Sequence, residues 1–450
     1  MIRQISNAFA TASDQPTIGD KQRIDELFRR HRFRVMLAIT LGYGLIYTCR
    51  LALGIVKKPL IDGGIYSPVE LGLIGSALFY AYALGKLTNG FIADHVNVRL
   101  FLTLGFALTA VCNFAMGFNT ALSVAIVLWG LNGWFQSFGA PGSVVAMTAW
   151  FSNKERGRTY GIWSTAHSIG EGLTFFGVGT IVAYFGWRYG FVVPALIGFA
   201  TAAIAYFLLR DRPATMGLPN VNEWKGDSYG SEKSEAASPK EVLLLQLSIL
   251  KIPSIWILCL ASATMYMTRY GINSWGILYL QEERGLSLQV AGTMLMISTL
   301  TGILGAIAFG FISDAVFNAR RPPVNLLFAI IELVGLSLIF FGPNNTAVLV
   351  IGMLCFGLGL TGLVTSLGGL FAVDIAPNRV AGAAMGVIGI FSYIGAGLQE
   401  YISGVLIEGG MTTVEGVNSY NFGPAILFWI GASVVSMLLA ASLWRVRLRD

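Results

Sequence analysis

Apolar positions along this chain gather into long runs set off by short polar breaks, and the runs approach the roughly 20 residues a helix needs to cross a hydrocarbon layer about 30 Å thick. They fall at 34–56, 69–93, 98–118, 121–149, 157–183, 188–208, 252–280, 288–313, 323–342, 345–372, 380–406 and 422–444. The pattern predicts an all-α membrane protein with twelve transmembrane helices. Residues 1–33 are polar and charged, with DKQRIDELFRRHR and no apolar h-region, so the first span is expected to serve as its own insertion signal. The one long polar stretch, 209–251, contains WKGDSYGSEKSEAASPK and reads as a flexible linker. It separates six spans in 34–208 from six in 252–444, ahead of a short tail at 445–450.

The two halves read as copies. GFIADHVNVR after the second span recurs as GFISDAVFNAR after the eighth, which sets Asp94 and Asp314 220 residues apart. YTCR in the first span and YMTR in the seventh set Arg50 and Arg269 219 apart. Of the 30 Lys and Arg, 23 fall on the face that would carry both termini and the linker, and four (Lys57, Lys58, Arg188 and Arg284) on the other. That bias places both termini in the cytoplasm. The remaining three, Arg50, Lys86 and Arg269, lie inside spans.

Composition narrows the function. The chain of 450 residues is 55% apolar and 12% charged, whereas soluble proteins carry about a quarter charged residues. A soluble enzyme is therefore excluded. The formal charge of +6 does not point to nucleic acid, because the basic residues flank apolar segments. Glycine, 54 residues, suits helices that must approach closely in lipid. Cys49, Cys112, Cys259 and Cys355 all lie in apolar runs, leaving neither a disulfide framework nor a metal motif. The Gly85-Lys86 pair has Tyr80 where a P-loop needs its first glycine and Leu87 where it needs Ser or Thr. His31, His95 and His167 are too scattered for a zinc or haem site. No cofactor, metal or catalytic residue is expected.

Each basic residue at the centre of a spanning helix costs about 2.5 to 3.5 kcal/mol, so three cost roughly 8 to 10 unless something compensates them. Internal pairing with Glu171, Glu332 or Glu400 is one answer. The repeat suggests another: a pseudo-two-fold axis along the membrane normal brings Arg50 and Arg269 toward a common point. Two fixed cations repel, and a dianion between them relieves the repulsion. Guanidinium offers paired N–H donors that match phosphate oxygens, which favours phosphate as the ligand. Tyr43 and Tyr47 precede Arg50 by seven and three positions, Tyr266 precedes Arg269 by three, and Tyr82 precedes Lys86 by four, so each lies on or near its cation's helix face. These rings serve either packing or the anion. His167, in WSTAHSIGEG, is either a satisfied packing residue or a donor to a phosphate oxygen whose own charge changes near neutrality.

At this point the residues resemble a known family. The GxxxD loops and the six-plus-six plan are similar to the major facilitator superfamily. YxxxYxxR in the first span, the Lys86 helix, ERGR at 155–158, TAHSIG, RDRPATMGLP followed by EW, and RYGINSW together resemble its organophosphate:phosphate antiporter family. The resemblance spans nearly the whole chain. It implies that Arg50 and Arg269 grip phosphate, that Lys86, His167 and the tyrosines surround it, and that two six-helix halves rock to expose the site alternately. It also implies uptake of an organophosphate, such as a hexose 6-phosphate or glycerol 3-phosphate, against efflux of inorganic phosphate. The stretch RDRPATMGLPNVNEW is similar to the hexose phosphate branch, which includes a membrane-bound sensor.

The chain departs from the family pattern in places. Leu51 stands where many relatives have a lysine, and Ser274 stands where an acidic residue is common. Glu171 replaces a glycine of the His-Asn-x-Gly-Gly segment, one helical turn from His167. Glu171 either neutralises the empty site or reads sugar hydroxyls or takes part in coupling. The expected function is a monomeric carrier in the inner membrane. Excess positive charge should hinder closure of the empty site, so exchange is obligatory. The competing readings are a hexose phosphate sensor acting through a signalling partner, and a proton-coupled symporter of another anion drawing on Glu171 and Glu400.

Overall fold

Inside a bilayer every backbone N–H and C=O must pair within its own segment, and the apolar runs accordingly fold as helices. The computed structural model describes residues 11–227, 248–318, 320–375, 381–414 and 417–444. The helices are α1 (Lys21–Asp62), α2 (Pro68–His95), α3 (Val98–Met116), α4 (Leu122–Gln136), α5 (Gly139–Trp150), α6 (Asn153–Leu173), α7 (Gly179–Phe185), α8 (Tyr189–Leu208) and α9 (Val221–Trp224). They continue with α10 (Pro253–Glu282), α11 (Leu288–Ala315), α12 (Arg321–Phe341), α13 (Thr346–Thr365), α14 (Phe371–Ile375), α15 (Ala381–Gly409) and α16 (Gly423–Ser442). A short hairpin, β1 (Met411–Val414) and β2 (Val417–Tyr420), joins α15 to α16, with Met411 opposite Tyr420. Polar residues at the breaks start the helices: Ser67 and Glu70 form a reciprocal capping box ahead of α2, with Pro68 at its first position.

Among the described residues ten helical segments are long and apolar enough to cross a membrane. The other two predicted spans differ for visible reasons. The span at 121–149 is divided into α4 and α5 at Ser137 and Phe138, beside Gly139, Pro141 and Gly142. The span at 252–280 is α10, whose length suffices but whose hydropathy is lowered by Tyr266, Arg269, Tyr270 and Asn273. The spans at 157–183 and 345–372 each run through one π-helical turn, Thr174–Val178 between α6 and α7 and Ser366–Leu370 between α13 and α14. Such turns recur at functional sites.

Two readings of the sequence are corrected. Lys57, assigned to a loop, lies within α1, which continues past the apolar run to Asp62, and its side chain is fully buried. Residues 209–227, assigned to the flexible linker, are ordered against the first helix. A short 3-10 turn at Pro213–Met216 and helix α9 fold back onto α1, where Trp224 stacks on Phe28 at 4.3 Å between ring centroids. Backbone hydrogen bonds from Gln15 N–H to the Ala214 carbonyl and from Ile18 N–H to the Gly217 carbonyl tie residues 15–18 to the same segment. Residues 228–247, the middle of the expected linker, lie outside the described residues, as do 1–10 and the tail at 445–450.

The helices pack α1 against α6 and α8, α3 against α8, α2 along α15, α10 against α15 and α16, and α13 against α11 and α12. Where the two parts of the chain meet, glycine permits backbone contact. A Cβ on Gly72 would stand 2.6 Å from the Glu400 carbonyl oxygen, and one on Gly292 2.3 Å from that of Phe175. One buried cluster joins Leu51–Ile61 of α1 and Leu71–Ala83 of α2 to α10, α11, α13 and α15. A second, around Phe28, Ile39, Phe106, Trp150 and Trp163, draws only on residues before α10. The two parts of the chain are thus packed together toward the 411–420 hairpin. Toward the opposite face, a Cβ on Gly90, Gly310, Gly382 or Gly386 would meet nothing within 4 Å.

Candidate functional site

Arg50 lies in the C-terminal half of α1 and is held by neutral groups alone. Its Nε donates to Gln136 Oε1 at 2.9 Å, and its Nη1 donates to the hydroxyls of Tyr47 and Tyr393, each at 3.3 Å. The guanidinium carbon stands 4.3 Å from the ring centroid of Tyr82 and 4.7 Å from that of Tyr47, distances at which aromatic faces attract a cation. Helix α4 orients this contact: Gln136 Nε2 donates to Asn132 Oδ1 at 2.9 Å, and Asn132 Nδ2 donates to the Cys49 carbonyl at 3.1 Å. Among the described residues no carboxylate comes within ion-pair distance of Arg50 or of the half-buried Lys86. Lys86 Nζ lies 5.2 Å from the Tyr393 ring centroid.

Arg269, on α10, has the opposite arrangement. Its Nη2 donates to Glu171 Oε1 on α6 at 2.6 Å, with Arg269 only 7% exposed and Glu171 3%. Tyr270 and Tyr266 lie 5.4 and 5.7 Å beneath the guanidinium carbon. His167 stands one turn before Glu171. Its Nδ1 meets the Ser164 carbonyl, its Nε2 is 3.4 Å from Ser168 Oγ, and its ring is 5.9 Å from Tyr47. A neutral ring protonated on Nδ1 satisfies both contacts. Tyr43 sits edge-on to Tyr47 at 5.4 Å and against Trp163 at 4.5 Å.

All nine residues singled out from the sequence, Arg50, Arg269, Lys86, His167, Tyr43, Tyr47, Tyr82, Tyr266 and Glu171, therefore join one set of contacts. The reading that Glu171 pairs internally with a membrane cation describes the structure for Arg269. Two small voids adjoin these groups and share Asn273 in their lining. One, about 20 Å³, touches His167, Glu171 and Arg269, and the other, also about 20 Å³, lies between Arg50 and Glu400. A cavity needs roughly 10–15 Å³ for a single water, so each has room for little more than that. Admitting a sugar-sized molecule requires the surrounding helices to part.

Sequence reasoning missed several members. Tyr393 on α15 touches Arg50, Lys86, Tyr82 at 4.4 Å and Tyr266 at 5.5 Å, joining the two arginine clusters. Gln136, Asn132 and Asn273 carry no spacing signal relative to an arginine. No sequence spacing matches Lys57 with Glu400, yet Lys57 Nζ donates to Glu400 Oε2 at 2.9 Å and to Ser274 Oγ at 2.8 Å, and lies 3.2 Å from the Trp275 ring centroid. Lys58 pairs with Glu282, and Glu408 accepts from Ser67 Oγ at 2.6 Å and Val69 N–H at 2.8 Å. These contacts all join α1 or the start of α2 to α10 or α15 on the hairpin side. Glu332 lies apart, accepting from Ser433 at 3.1 Å between α12 and α16.

Comparison with known proteins adds to this picture. A family model described as Major Facilitator Superfamily matches residues 36–399. The "Membrane sensor protein UhpC" of Salmonella typhimurium is 33% identical over 403 residues, covering 88% of this chain and 90% of the relative. The "Probable hexose phosphate transport protein" of Chlamydia trachomatis is 29% identical over 410 residues, covering 87% and 88%. Among solved structures, the inward-facing, unoccupied form of a bacterial homolog of the human lysosomal transporter Spinster superposes with a TM-score of 0.74 over 93% of this chain and 99% of that one. At 17% identity that likeness speaks for the fold alone.

Proposed function

Because the chain belongs to the Major Facilitator Superfamily, and within it to the organophosphate:phosphate antiporter group, we propose that it carries an organophosphate, such as a hexose phosphate, across the inner membrane in exchange for inorganic phosphate. The observation that carries this reading is the pair of buried arginines. Arg50 in α1 and Arg269 in α10 lie in one contact network, and Arg50 and Lys86 lack a carboxylate partner among the described residues. Buried cations are retained where they pair or serve a ligand pathway. A phosphate dianion offers both arginines paired acceptors in a dry environment, where charge-assisted hydrogen bonds are strong.

Exchange follows from charge. Closing helices around unbalanced cations is costly in a low dielectric, so the empty carrier reorients slowly and the loaded one readily. The chain is divided for this purpose into two six-helix units, 34–208 and 252–444, rocking about the site as a monomer, with both termini cytoplasmic. In this account the packed hairpin side is the outer gate, and the site reaches the cytoplasm when the opposite face parts. No covalent chemistry is involved.

A second reading is favoured by the likeness to a membrane sensor: the same site binds hexose phosphate and reports through helix contacts to a signalling partner. Counterflow in vesicles loaded with labelled phosphate separates the two. Added sugar phosphate releases the label from a carrier and leaves it in place with a sensor, whereas release that depends on a pH gradient marks proton-coupled symport.

A further inference from the structure

We infer that Glu171 is the charge selector of the site: it restricts the carried ester to phosphate monoesters whose organic part is uncharged, and excludes esters bearing an additional carboxylate or phosphate. The inference rests on the reading of the site as phosphate-binding, and it names the class of ester admitted.

The charges facing the two arginines can be counted from the contacts. Arg50, Lys86 and Arg269 contribute three positive charges. Glu171, in contact with Arg269 at 2.6 Å and 3% exposed, contributes one negative charge. His167 is satisfied as a neutral ring by Ser164 and Ser168. Lys57 and Glu400 pair with each other at 2.9 Å and cancel. The site therefore carries a net charge of two, which one phosphate dianion balances. A trianion leaves one negative charge uncompensated in a buried setting, where an unpaired charge is strongly disfavoured.

The charge balance is the same whether or not Glu171 stays on Arg269 when the ester binds. If the phosphate displaces it, the carboxylate remains within the same enclosed space, because its helix position, one turn from His167, is fixed. The small void beside Glu171 is lined by one cation, Arg269, with the neutral groups of His167, Ser168, Asn273, Ser298 and Thr361. An anionic substituent directed there meets a carboxylate. Sugar hydroxyls meet acceptors and donors.

The test is competition against labelled inorganic phosphate in the reconstituted full chain. The competitors are glucose 6-phosphate, glycerol 3-phosphate and 3-phosphoglycerate, the last carrying a carboxylate in addition to its phosphate. In the unaltered protein the two neutral-bodied esters should compete at least tenfold better than 3-phosphoglycerate. Equal or better competition by 3-phosphoglycerate overturns the inference. In Glu171→Gln the ratio should move at least tenfold toward 3-phosphoglycerate, and in Glu171→Asp, which keeps the charge, it should stay within about threefold of the original. A ratio unmoved in Glu171→Gln that still binds phosphate sinks the inference alone. Failure of every phosphate compound to compete in the unaltered protein sinks the phosphate-binding reading and this inference with it. Should Glu171→Gln not fold, Glu171→Ser, which also removes the charge, is read in its place by the same ratio.

Discussion

Lys57 on α1 donates to Glu400 on α15 at 2.9 Å, with both side chains at most 1% exposed, and so ties the beginning of the chain to its end on the hairpin side of the molecule. Neither residue lies beside the other in any sequence pattern. The ring of Trp275 covers the ammonium, and Ser274 takes a further proton donation from it. The alternating exposure proposed for the site requires this contact to open, because it holds α1, α10 and α15 together at one end.

Breaking such a pair by removing one partner strands a buried charge, at about 3–5 kcal/mol. Lys57→Met and Glu400→Gln should each lower the thermal midpoint of the purified protein, while the double substitution recovers most of the loss. A double variant as unstable as the worse single one would contradict the pairing.

Asp211, just after α8, is 8% exposed, and its Oδ1 accepts the Val98 N–H at 2.9 Å at the start of α3. Burial raises its carboxyl above the ordinary aspartate range, against the Val98 hydrogen bond and the charge of Arg212. The folded form therefore holds the proton to higher pH than the unfolded form, and its stability falls as pH climbs from about 4, the unfolded value, through the raised folded one. Asp211→Asn keeps an acceptor for Val98 and loses the buried charge. Its stability should exceed the parent's at pH 7 and match it near pH 3, as read from thermal unfolding at the two pH values.

Gln136 acts on Arg50 rather than on any ligand. Its Oε1 accepts a hydrogen bond from Arg50 Nε at 2.9 Å and so aims the two terminal nitrogens. A hydrogen bond to a charged group contributes about 1.5–3 kcal/mol. Gln136→Leu should accordingly weaken phosphate binding roughly 10- to 100-fold. Titration calorimetry with inorganic phosphate checks this, and an unchanged dissociation constant would show that Arg50 needs no such positioning.

Tyr393 presents a ring to Arg50 and Lys86 and a hydroxyl to Arg50. Tyr393→Phe keeps the ring and loses one long hydrogen bond, so binding should change less than about fivefold. Tyr393→Ala removes two cation–ring contacts, each about 0.5–2 kcal/mol, together with the hydroxyl hydrogen bond to Arg50, and should weaken binding about tenfold or more. The same calorimetric titration distinguishes the two.

The three membrane-embedded cations are legible from the chain because apolar runs of spanning length leave no unmarked place for them, and the duplicated YxxR singles out Arg50 and Arg269. Helical spacing likewise puts Tyr47 beside Arg50 and Tyr266 beside Arg269. Spacing cannot reach across helices. Gln136 lies 86 residues from Arg50 and Tyr393 lies 343 away, and only tertiary packing brings them to it. Lys57 is misread for a different reason: hydropathy ends its span at 56, whereas the helix runs on to Asp62 because Glu400, Ser274 and Trp275 satisfy a charge that would otherwise stop it. The break between α4 and α5 hides inside an unbroken apolar run.

The central claim is that two guanidinium groups, one from each repeat, clasp the phosphate. Equilibrium binding of labelled phosphate to the full chain, compared with Arg50→Lys and Arg269→Lys, tests it most directly. Lysine keeps the charge and loses the forked donors. The account predicts that either substitution weakens binding by at least two orders of magnitude while the protein still folds with its normal thermal midpoint. Binding within threefold of the unaltered protein in either variant would contradict it.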